Sequence, residues 1–409
     1  MDTIPNELIP IIFNHIKLIT DKRQFLKTCK LYNYLTKQLM SITENNFIVK
    51  DFDKINNYCI EKFTLELCHD KYFNLIPKSF LNQKNKIIVK ALVAFNDDIE
   101  MLKCAINNGC KLLPIECDIF DENEICTWAA YNGNLNVLMW ARENSYKWDS
   151  KTCTAAAENG HLNVLKWLRE NYCKWSCDTC SRAARNGHLN VLKWLRENSC
   201  KWNSDVCTEA AGNGHFDILK WAYENSCPLS VKTCSMAAKG GHLEILKWLR
   251  ENSCPWDAQA CMYAAHKGHL DILIWLRENS CPWNSDVCAF AAMHGHFDIL
   301  KWAHENSCPW DWRTCTWAAQ YGHLEILMWA RTNGCVWNTS TCAMAAQKGH
   351  LDILIWLREN SCPWDKQTCL NAAGNNHYEV FKWAKKNGCE CDSWLTVKKY
   401  NNSNKNHYI

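Results

Sequence analysis

Cysteine and histidine are the residue types of this chain best suited to chemistry, and both recur at a fixed spacing. The 409-residue sequence contains 27 cysteines and 15 histidines. Ten copies of a 27-residue unit each open on the cysteine of a Cys-x-x-Ala-Ala run, from Cys126 to Cys369. A second cysteine stands at position 21, and a histidine at position 9, in nine of the ten copies. Thiolates and imidazoles are ligands of zinc, and one activated pair of them can act as a nucleophile and its base.

The spacing of the cysteines favours a packed core over a metal site. Structural zinc sites contain cysteine pairs separated by two to four residues, and within the array only Cys177 and Cys180 form such a pair. Cys173 and His188 are near enough in sequence to keep zinc open as an alternative. A free cysteine packs as a small hydrophobic residue. We therefore expect a ladder of buried thiols, with no metal and no cofactor.

Disulfides between equivalent cysteines of adjacent units are not expected. Packed helices lie ~8–10 Å apart, whereas a disulfide needs its two Cα atoms within ~7 Å. The histidines at position 9 are expected to form hydrogen bonds between helices. The sequence also contains no Gly-rich phosphate loop, no Gly-x-Ser-x-Gly elbow and no His-Glu-x-x-His motif. We predict that the protein is not an enzyme.

The 27-residue unit predicts two short helices that position these side chains. Small or apolar residues at positions 1, 4, 5 and 8 form one face of a first helix, as in the segment that begins at Cys153. A Gly-His step, Gly160-His161, ends this helix. The second helix carries a tryptophan at position 15 of every unit, such as Trp167. A fixed period of ~20–50 residues is typical of a solenoid, so the predicted fold is an all-α solenoid of about ten helix-turn-helix repeats.

The run from Ala264 to Asn279, Ala-Ala-x-x-Gly-His-Leu-Asp-Ile-Leu-Ile-Trp-Leu-Arg-Glu-Asn, resembles the core of the ankyrin repeat. The resemblance covers residues 126–391 as ten repeats, preceded by a divergent repeat and an insertion in residues 88–125. The Thr-Pro-Leu-His signature of the family is absent, and the unit is shorter than the usual ~33 residues. The missing residues fall between Asn284 and Cys288, where the family has a β-hairpin finger. The resemblance thus implies an ankyrin-like helical solenoid with short loops in place of fingers.

Residues 1–40 resemble an F-box and form a small N-terminal helical segment in our prediction. The resemblance lies in the opening Ile4-Pro5-Asn6-Glu7-Leu8 and in the step Cys29-Lys30-Leu31-Tyr32. It implies docking onto the Skp-family adaptor of a cullin ubiquitin ligase. The docking residues would be Pro5, Leu8, Ile11, Ile12 and Ile16. The alternative is a helical cap that covers the end of the solenoid. Residues 41–87 are predicted to be a helical connector, and residues 392–409 a half-repeat cap followed by a disordered tail.

Positions 2, 3, 6 and 7 of the first helix vary from copy to copy and lie away from its small-residue face. The resemblance to ankyrin repeats implies that these positions line the surface that binds partners. Large side chains are concentrated there, and such residue types are typical of interface hot spots. The predicted partner-binding residues are Trp128, Tyr263, His266, Phe290, Met293, His294, Trp317 and Tyr321. The alternative is surface variation without a role, or partial burial against the short loops.

Composition excludes several classes of function. The net charge is +3 with acidic and basic residues mixed, so no nucleic-acid partner is expected. The longest apolar runs are far shorter than the ~20 residues of a membrane span, and the first residues lack a secretory signal. We therefore expect a monomer in the reducing cytoplasm. The combination of an F-box-like segment and repeats resembles the ankyrin proteins of large DNA viruses, which would place it in the host cytoplasm.

Two functions remain open from the sequence. The first is a non-enzymatic interaction protein whose repeats bind a protein target and whose first segment recruits the ligase adaptor. The second is a binding or scaffold protein without ligase recruitment. A metal-storing protein rich in cysteine and histidine is a third class, which metal analysis would reveal.

Overall fold

The chain is described by a computed structural model that covers residues 124–390. These residues form twenty α-helices and no β-strand. The first helices of the ten repeats are α1 (Glu124–Tyr131), α3 (Ser150–Glu158), α5 (Cys177–Arg185), α7 (Asp205–Gly212), α9 (Val231–Gly240), α11 (Ala258–Lys267), α13 (Asp286–His294), α15 (Trp312–Tyr321), α17 (Thr339–Lys348) and α19 (Lys366–Gly374). The second helices are α2 (Leu135–Glu143), α4 (Leu162–Glu170), α6 (Leu189–Glu197), α8 (Phe216–Glu224), α10 (Leu243–Glu251), α12 (Leu270–Glu278), α14 (Phe297–Glu305), α16 (Leu324–Thr332), α18 (Leu351–Glu359) and α20 (Tyr378–Lys386). The prediction of an all-α, ankyrin-like solenoid of helix pairs with short loops is confirmed for this part of the chain.

Local signals start and end the helices of each pair. In the sixth repeat, the side chain of Asp257 accepts a hydrogen bond from the backbone N–H of Gln259 (2.9 Å) and caps the start of α11. Gly268 ends α11 in the left-handed conformation, with φ 84°. Ser280 follows α12 with φ 63°, and Pro282 then prevents the helix from continuing. The short helices are thus delimited by their own sequence.

The core of each repeat is made of small residues on the first helix and branched residues on the second. In the sixth repeat Cys261, Ala264 and Ala265 are fully buried, as are Leu273 and Leu276. Side chains this small allow the backbones of successive first helices to approach closely. Most of these side chains have no exposed surface. The apolar face of each helix is therefore buried against the other helix of its repeat and against the adjacent repeats.

The described residues fall into two compact units. One contains residues 124–183 and 190–200, and the other residues 184–189 and 201–390. In the first unit α1 packs against α3. In the second unit each first helix packs against the next, from α7 through to α19, and against the second helix of its own repeat.

Tryptophan and arginine side chains link successive repeats along the second helices. The guanidinium of Arg277 lies 4.2 Å from the ring centroid of Trp283 in the same repeat. The Trp283 ring in turn packs edge-to-face against Trp302 of the next repeat, with centroids 5.8 Å apart. Cation–π and aromatic contacts of this kind each contribute ~0.5–1.5 kcal/mol. The tryptophans are half-buried at the junctions between repeats.

One junction of the second unit is built differently. Leu229 stands where most other repeats have the tryptophan, and Tyr223 stands where most of them have the arginine. The Tyr223 ring packs edge-to-face against Trp248 at 5.3 Å, which is the place that a tryptophan at position 229 would take. The two departures from the repeat pattern therefore compensate for each other.

Several predictions concern residues outside the described part of the chain. They are the F-box-like segment 1–40 with its docking residues, the connector 41–87, most of the divergent repeat and insertion 88–125, and the end of the chain at 392–409. Within the described residues, no helix combines the length and the apolar character needed to cross a lipid bilayer.

Candidate protein-binding surface

Four rings form a continuous row on the first helices of three successive repeats. Tyr263 and His266 belong to α11, Phe290 to α13 and Trp317 to α15. The ring centroids of Tyr263 and His266 are 6.4 Å apart, those of His266 and Phe290 are 5.5 Å apart, and those of Phe290 and Trp317 are 5.2 Å apart. We call these four residues the aromatic row. Seven of the eight predicted partner-binding residues lie on these three helices, and four of them touch in this way.

The side chains of the aromatic row are half-buried, which distinguishes them from both the core and the outer surface. Met293 is also half-buried, whereas His294 is exposed and Tyr321 is 41% exposed at the edge of the row. Aromatic rings that keep a free face while their edges pack on neighbours are held in place before a partner arrives. Such preorganised aromatic side chains are the residue type that dominates binding energy in protein interfaces.

Basic groups gather beside His266. The rings of His266 and His294 have centroids 4.3 Å apart, and the ammonium of Lys239 lies 5.3 Å from the Tyr263 ring. Burial, with repulsion from His294, Lys267 and Lys239, lowers the pKa of His266 to about 4. Its Nδ1 is buried and has no hydrogen-bond partner among the described residues. His266 is therefore a neutral imidazole at pH 7, with the ammonium groups of Lys239 and Lys267 nearby.

A salt bridge between Arg313 and two aspartates lies at the Trp317 end of the aromatic row. Nη1 of Arg313 donates to Oδ1 of Asp286 (2.6 Å), and its Nη2 donates to Oδ2 of Asp311 (2.7 Å). The same guanidinium lies 5.8 Å from the Trp317 ring centroid. Because one guanidinium is shared by two carboxylates, this end of the row is fixed and carries negative charge.

The prediction that position 2 belongs to the variable surface is wrong for most repeats. Thr208 and Thr233 are buried, and their hydroxyl oxygens lie 3.1 Å apart as a hydrogen-bonded pair between α7 and α9. Thr316 and Thr341 repeat this pair at 3.0 Å. From α9 to α17, each first helix packs between the first helices of the preceding and the following repeat. The side chain at position 2 therefore faces the first helix of the following repeat. The small size of the residues at position 2 was the signal that could have identified it.

Trp128, the remaining predicted residue, lies in the first unit on α1. It is half-buried, and its ring packs edge-to-face against Tyr131 with centroids 5.9 Å apart. Tyr131 is 41% exposed.

The histidines at position 9 join neighbouring repeats through the backbone. Nε2 of His215 lies 3.0 Å from the carbonyl oxygen of Arg185, and Nε2 of His296 lies 3.2 Å from that of His266. The prediction of hydrogen bonds between helices is confirmed for these rings. An imidazole whose Nε2 bonds a backbone carbonyl stabilises the contact between repeats, and that nitrogen is not available to a metal or a substrate.

The cysteines form thiol pairs that the sequence pattern did not reveal. Cys180 at position 1 and Cys200 at position 21 of one repeat share a side-chain hydrogen bond, which with burial raises the pKa of Cys180. The position-21 thiols also donate to backbone carbonyls, as Cys254 does to Ser230 (3.3 Å). Burial raises the pKa of Cys126 to about 12. Protonated, buried thiols are poor nucleophiles.

The described residues contain no group of three or more His, Cys, Asp or Glu side chains arranged to hold a metal ion. In the Cys177/Cys180 pair the first thiol is exposed and the second is buried. All the cysteines of residues 124–390 are free thiols.

Comparison with known proteins recognises ankyrin repeats in the chain. A family model described as ankyrin repeats in many copies matches residues 153–196 and 234–277. Among solved structures, the human ASB11 ankyrin repeat domain is similar with 16% sequence identity and a TM-score of 0.32, over 38% of this chain and 84% of that one. No curated protein matches the sequence significantly. Ankyrin repeats imply a scaffold for protein–protein interaction.

Proposed function

We propose, from the premise that the chain contains ankyrin repeats, that it is a non-enzymatic binding protein acting in the cytoplasm. The repeats hold a protein target on the aromatic row, and residues 1–40 recruit the Skp-family adaptor of a cullin ubiquitin ligase. The target would thereby be presented for ubiquitin transfer. The ligase part of this proposal is supported by the resemblance of residues 1–40 to an F-box.

One observation carries the target-binding part. Positions 1, 4, 5 and 9 of the repeat are occupied by contacts within the scaffold, such as the bond from His296 to the carbonyl of His266 (3.2 Å). The aromatic row consists instead of large residues at positions that vary, and these keep a partly free surface. Burying such rings against a partner contributes strongly to affinity because they lose little side-chain entropy.

The same contacts argue against catalysis. Apart from Cys177, the cysteines of residues 124–390 are buried. The histidines His215, His296 and His323 are each engaged with a backbone carbonyl. A nucleophile and its base would need to be accessible and mutually aligned.

The experiment that tests the proposal is a comparison of captured proteins. The full chain, a triple Tyr263→Ala/Phe290→Ala/Trp317→Ala variant and a deletion of residues 1–40 are each used to capture proteins from cells, with quantitative mass spectrometry. The matched control is a Met328→Ala/Tyr378→Ala variant, which removes side chains that are 43% and 50% exposed on second helices.

We expect the triple variant to lose the target and to keep the adaptor, and the deletion to show the reverse. Truncation of a hot-spot residue costs ~2 kcal/mol or more, which is roughly 30-fold in affinity. Adaptor and cullin captured equally by the deletion variant would exclude residues 1–40 as the recruiting segment, and their absence from the full chain's captured proteins would leave a binding scaffold without ligase recruitment. Target retained by the triple variant, or lost by the control, would exclude the aromatic row as the binding surface.

A further inference from the structure

The chemistry of the partner is indicated by four basic groups, one of them within the aromatic row and three beside it. These groups, which we call the basic cluster, are Lys239, His266, Lys267 and His294. We propose that the basic cluster binds a carboxylate side chain of the partner while an adjacent apolar side chain packs on Phe290 and Trp317. The inference rests on the proposed function and names the class of segment that this surface selects: an acidic residue next to a bulky apolar one.

The basic cluster has no acidic counterpart within the surface. In the five repeats that begin at Cys234 and end with the repeat of Cys342, positions 3, 6 and 7 contain no Asp or Glu. The charges that act on His266 come from His294, Lys267, Lys239 and His296, and every one of them is basic. Those on His294 come from His296, Lys267 and His323, which are basic as well. Positive charge is therefore concentrated here on Lys239 and Lys267, with no acidic side chain at these positions to compensate it.

Two carboxylates near the Trp317 end of the aromatic row are already engaged. Asp286 and Asp311 both bind the guanidinium of Arg313, at 2.6 Å and 2.7 Å. They lie at the Trp317 end of the row, since Arg313 also approaches that ring. The surface thus has basic groups without an acidic partner at the Tyr263 end, whereas the carboxylates at the Trp317 end are paired with Arg313. A partner segment would meet complementary charge in one orientation only.

The imidazole of His266 supplies a second reason to expect an anion. Its Nδ1 is buried without a hydrogen-bond partner, and its ring is 4.3 Å from that of His294. Lys267 opposes the protonation of both rings, and His294 and Lys239 also oppose the protonation of His266. A carboxylate placed against the basic cluster would remove this repulsion, because an opposite charge within ~4–6 Å favours the charged imidazole. Binding would then take up a proton at His266 and would tighten as the pH falls from 7 towards 5, approaching the free-state pKa of about 4.

The apolar half of the site follows from the ring geometry. Phe290 and Trp317 pack edge-to-face at 5.2 Å, and Met293 lies on the same helix as Phe290, one turn away. Rings in this arrangement present flat, partly free faces to which an aliphatic or aromatic side chain can pack. Tyr263 connects the two halves, since Lys239 lies over its ring.

The test uses a phage-displayed library of random 12-residue peptides selected on the immobilised full chain. Peptides whose binding requires the row are identified by their loss on the Phe290→Ala/Trp317→Ala variant. Their affinities are then measured for a Lys239→Glu/Lys267→Glu variant. The control variant, Lys220→Glu/Lys301→Glu, makes the same change of charge at exposed lysines of the second helices.

We expect the row-dependent peptides to be enriched in Asp or Glu beside a large apolar residue, and to bind the Lys239→Glu/Lys267→Glu variant at least roughly tenfold more weakly. The control should bind as the wild type does. Row-dependent peptides without acidic enrichment, or unaffected by the charge reversal, would overturn this inference and leave the proposed function intact. If no selected peptide depends on the row, both the inference and the aromatic row as a peptide-binding surface are excluded.

Discussion

The ring of His296 fills the space beside Gly268 that a side chain would need. A Cβ atom on Gly268 would lie 2.8 Å from Cε1 of His296, a ring of the following repeat. Gly268 also has φ 84°, in the left-handed region. The same relationship joins Gly214 to His242 and Gly241 to His269. The Gly-His step therefore both ends a helix and accommodates the next repeat.

Gly268→Ala should destabilise the protein for two reasons, the left-handed backbone and the contact with His296. Gly334 provides the control, since it has φ 87° and a Cβ atom added there would have no neighbour within 4 Å. We expect Gly334→Ala to cost ~1 kcal/mol for the backbone alone, and Gly268→Ala to cost ~1–3 kcal/mol more because of overpacking. Urea unfolding of the two variants measures the difference. Equal losses would show that the histidine moves away without cost.

The junction built by Tyr223 and Leu229 should be convertible to the usual one. Tyr223→Arg alone removes the ring contact with Trp248 and should cost ~0.5–1.5 kcal/mol. Leu229→Trp alone crowds the tyrosine, whereas the double variant restores the Arg-over-Trp arrangement seen at Arg250 and Trp256 (3.9 Å). We expect the double variant to approach wild-type stability in a double-mutant cycle. Losses that simply add within ~0.5 kcal/mol would contradict the compensation.

The thiols should differ sharply in reactivity. Among the cysteines of residues 124–390 only Cys177 is exposed; the others are protected by burial, which also raises the pKa of Cys126 to about 12. In a timed reaction with iodoacetamide at pH 8, peptide mass spectrometry should find Cys177 alkylated first. The remaining cysteines of this region should react only after unfolding in guanidinium. Early labelling of a pair such as Cys180 and Cys200 would mean that the repeats open readily.

His266 should make stability depend on pH in a defined direction. Burial, with the nearby basic groups His294, Lys267, Lys239 and His296, lowers its pKa from 6.5 to about 4. Between these two values the unfolded chain binds a proton that the native chain does not, so stability falls as the pH falls. His266→Gln should therefore reduce the drop in melting temperature between pH 7 and pH 4.5. Gln320→Ala, on the same surface without a titratable group, should keep the wild-type drop; an unchanged drop in His266→Gln would contradict the assignment.

The fold was predictable because the sequence features that start, end and orient each helix match the residues that are buried between helices. The spacing of Cys261, Ala264 and Ala265 indicates a helix with one small-residue face, and Gly268 marks its end. Both features appear where the pattern places them. The large residues of the variable positions were likewise identified from the sequence, because variation among copies within one chain is directly visible.

Contacts across loops and between repeats were not predictable in the same way. Cys180 and Cys200 are 20 residues apart, and only the fold of the loop brings their thiols together. Burial of position 2 depends on a neighbouring helix on each side, as at Thr208 and Thr233. The convergence of His266 and His294 likewise requires two successive first helices to pack in register. Helical periodicity predicts which residues share a face of one helix. It does not predict the distances between residues on different helices.

The hydrogen bonds from position-9 histidines to the preceding repeat affect how the number of repeats in the protein can change during evolution. His296, His323 and His350 each meet the carbonyl of the residue thirty positions earlier, at 3.2, 3.2 and 3.1 Å. Unequal recombination that adds or deletes one 27-residue copy would leave every new neighbour with an identical acceptor. The array can therefore lengthen or shorten by whole copies without any compensating mutation, while the side chains at positions 3, 6 and 7 are free to diversify.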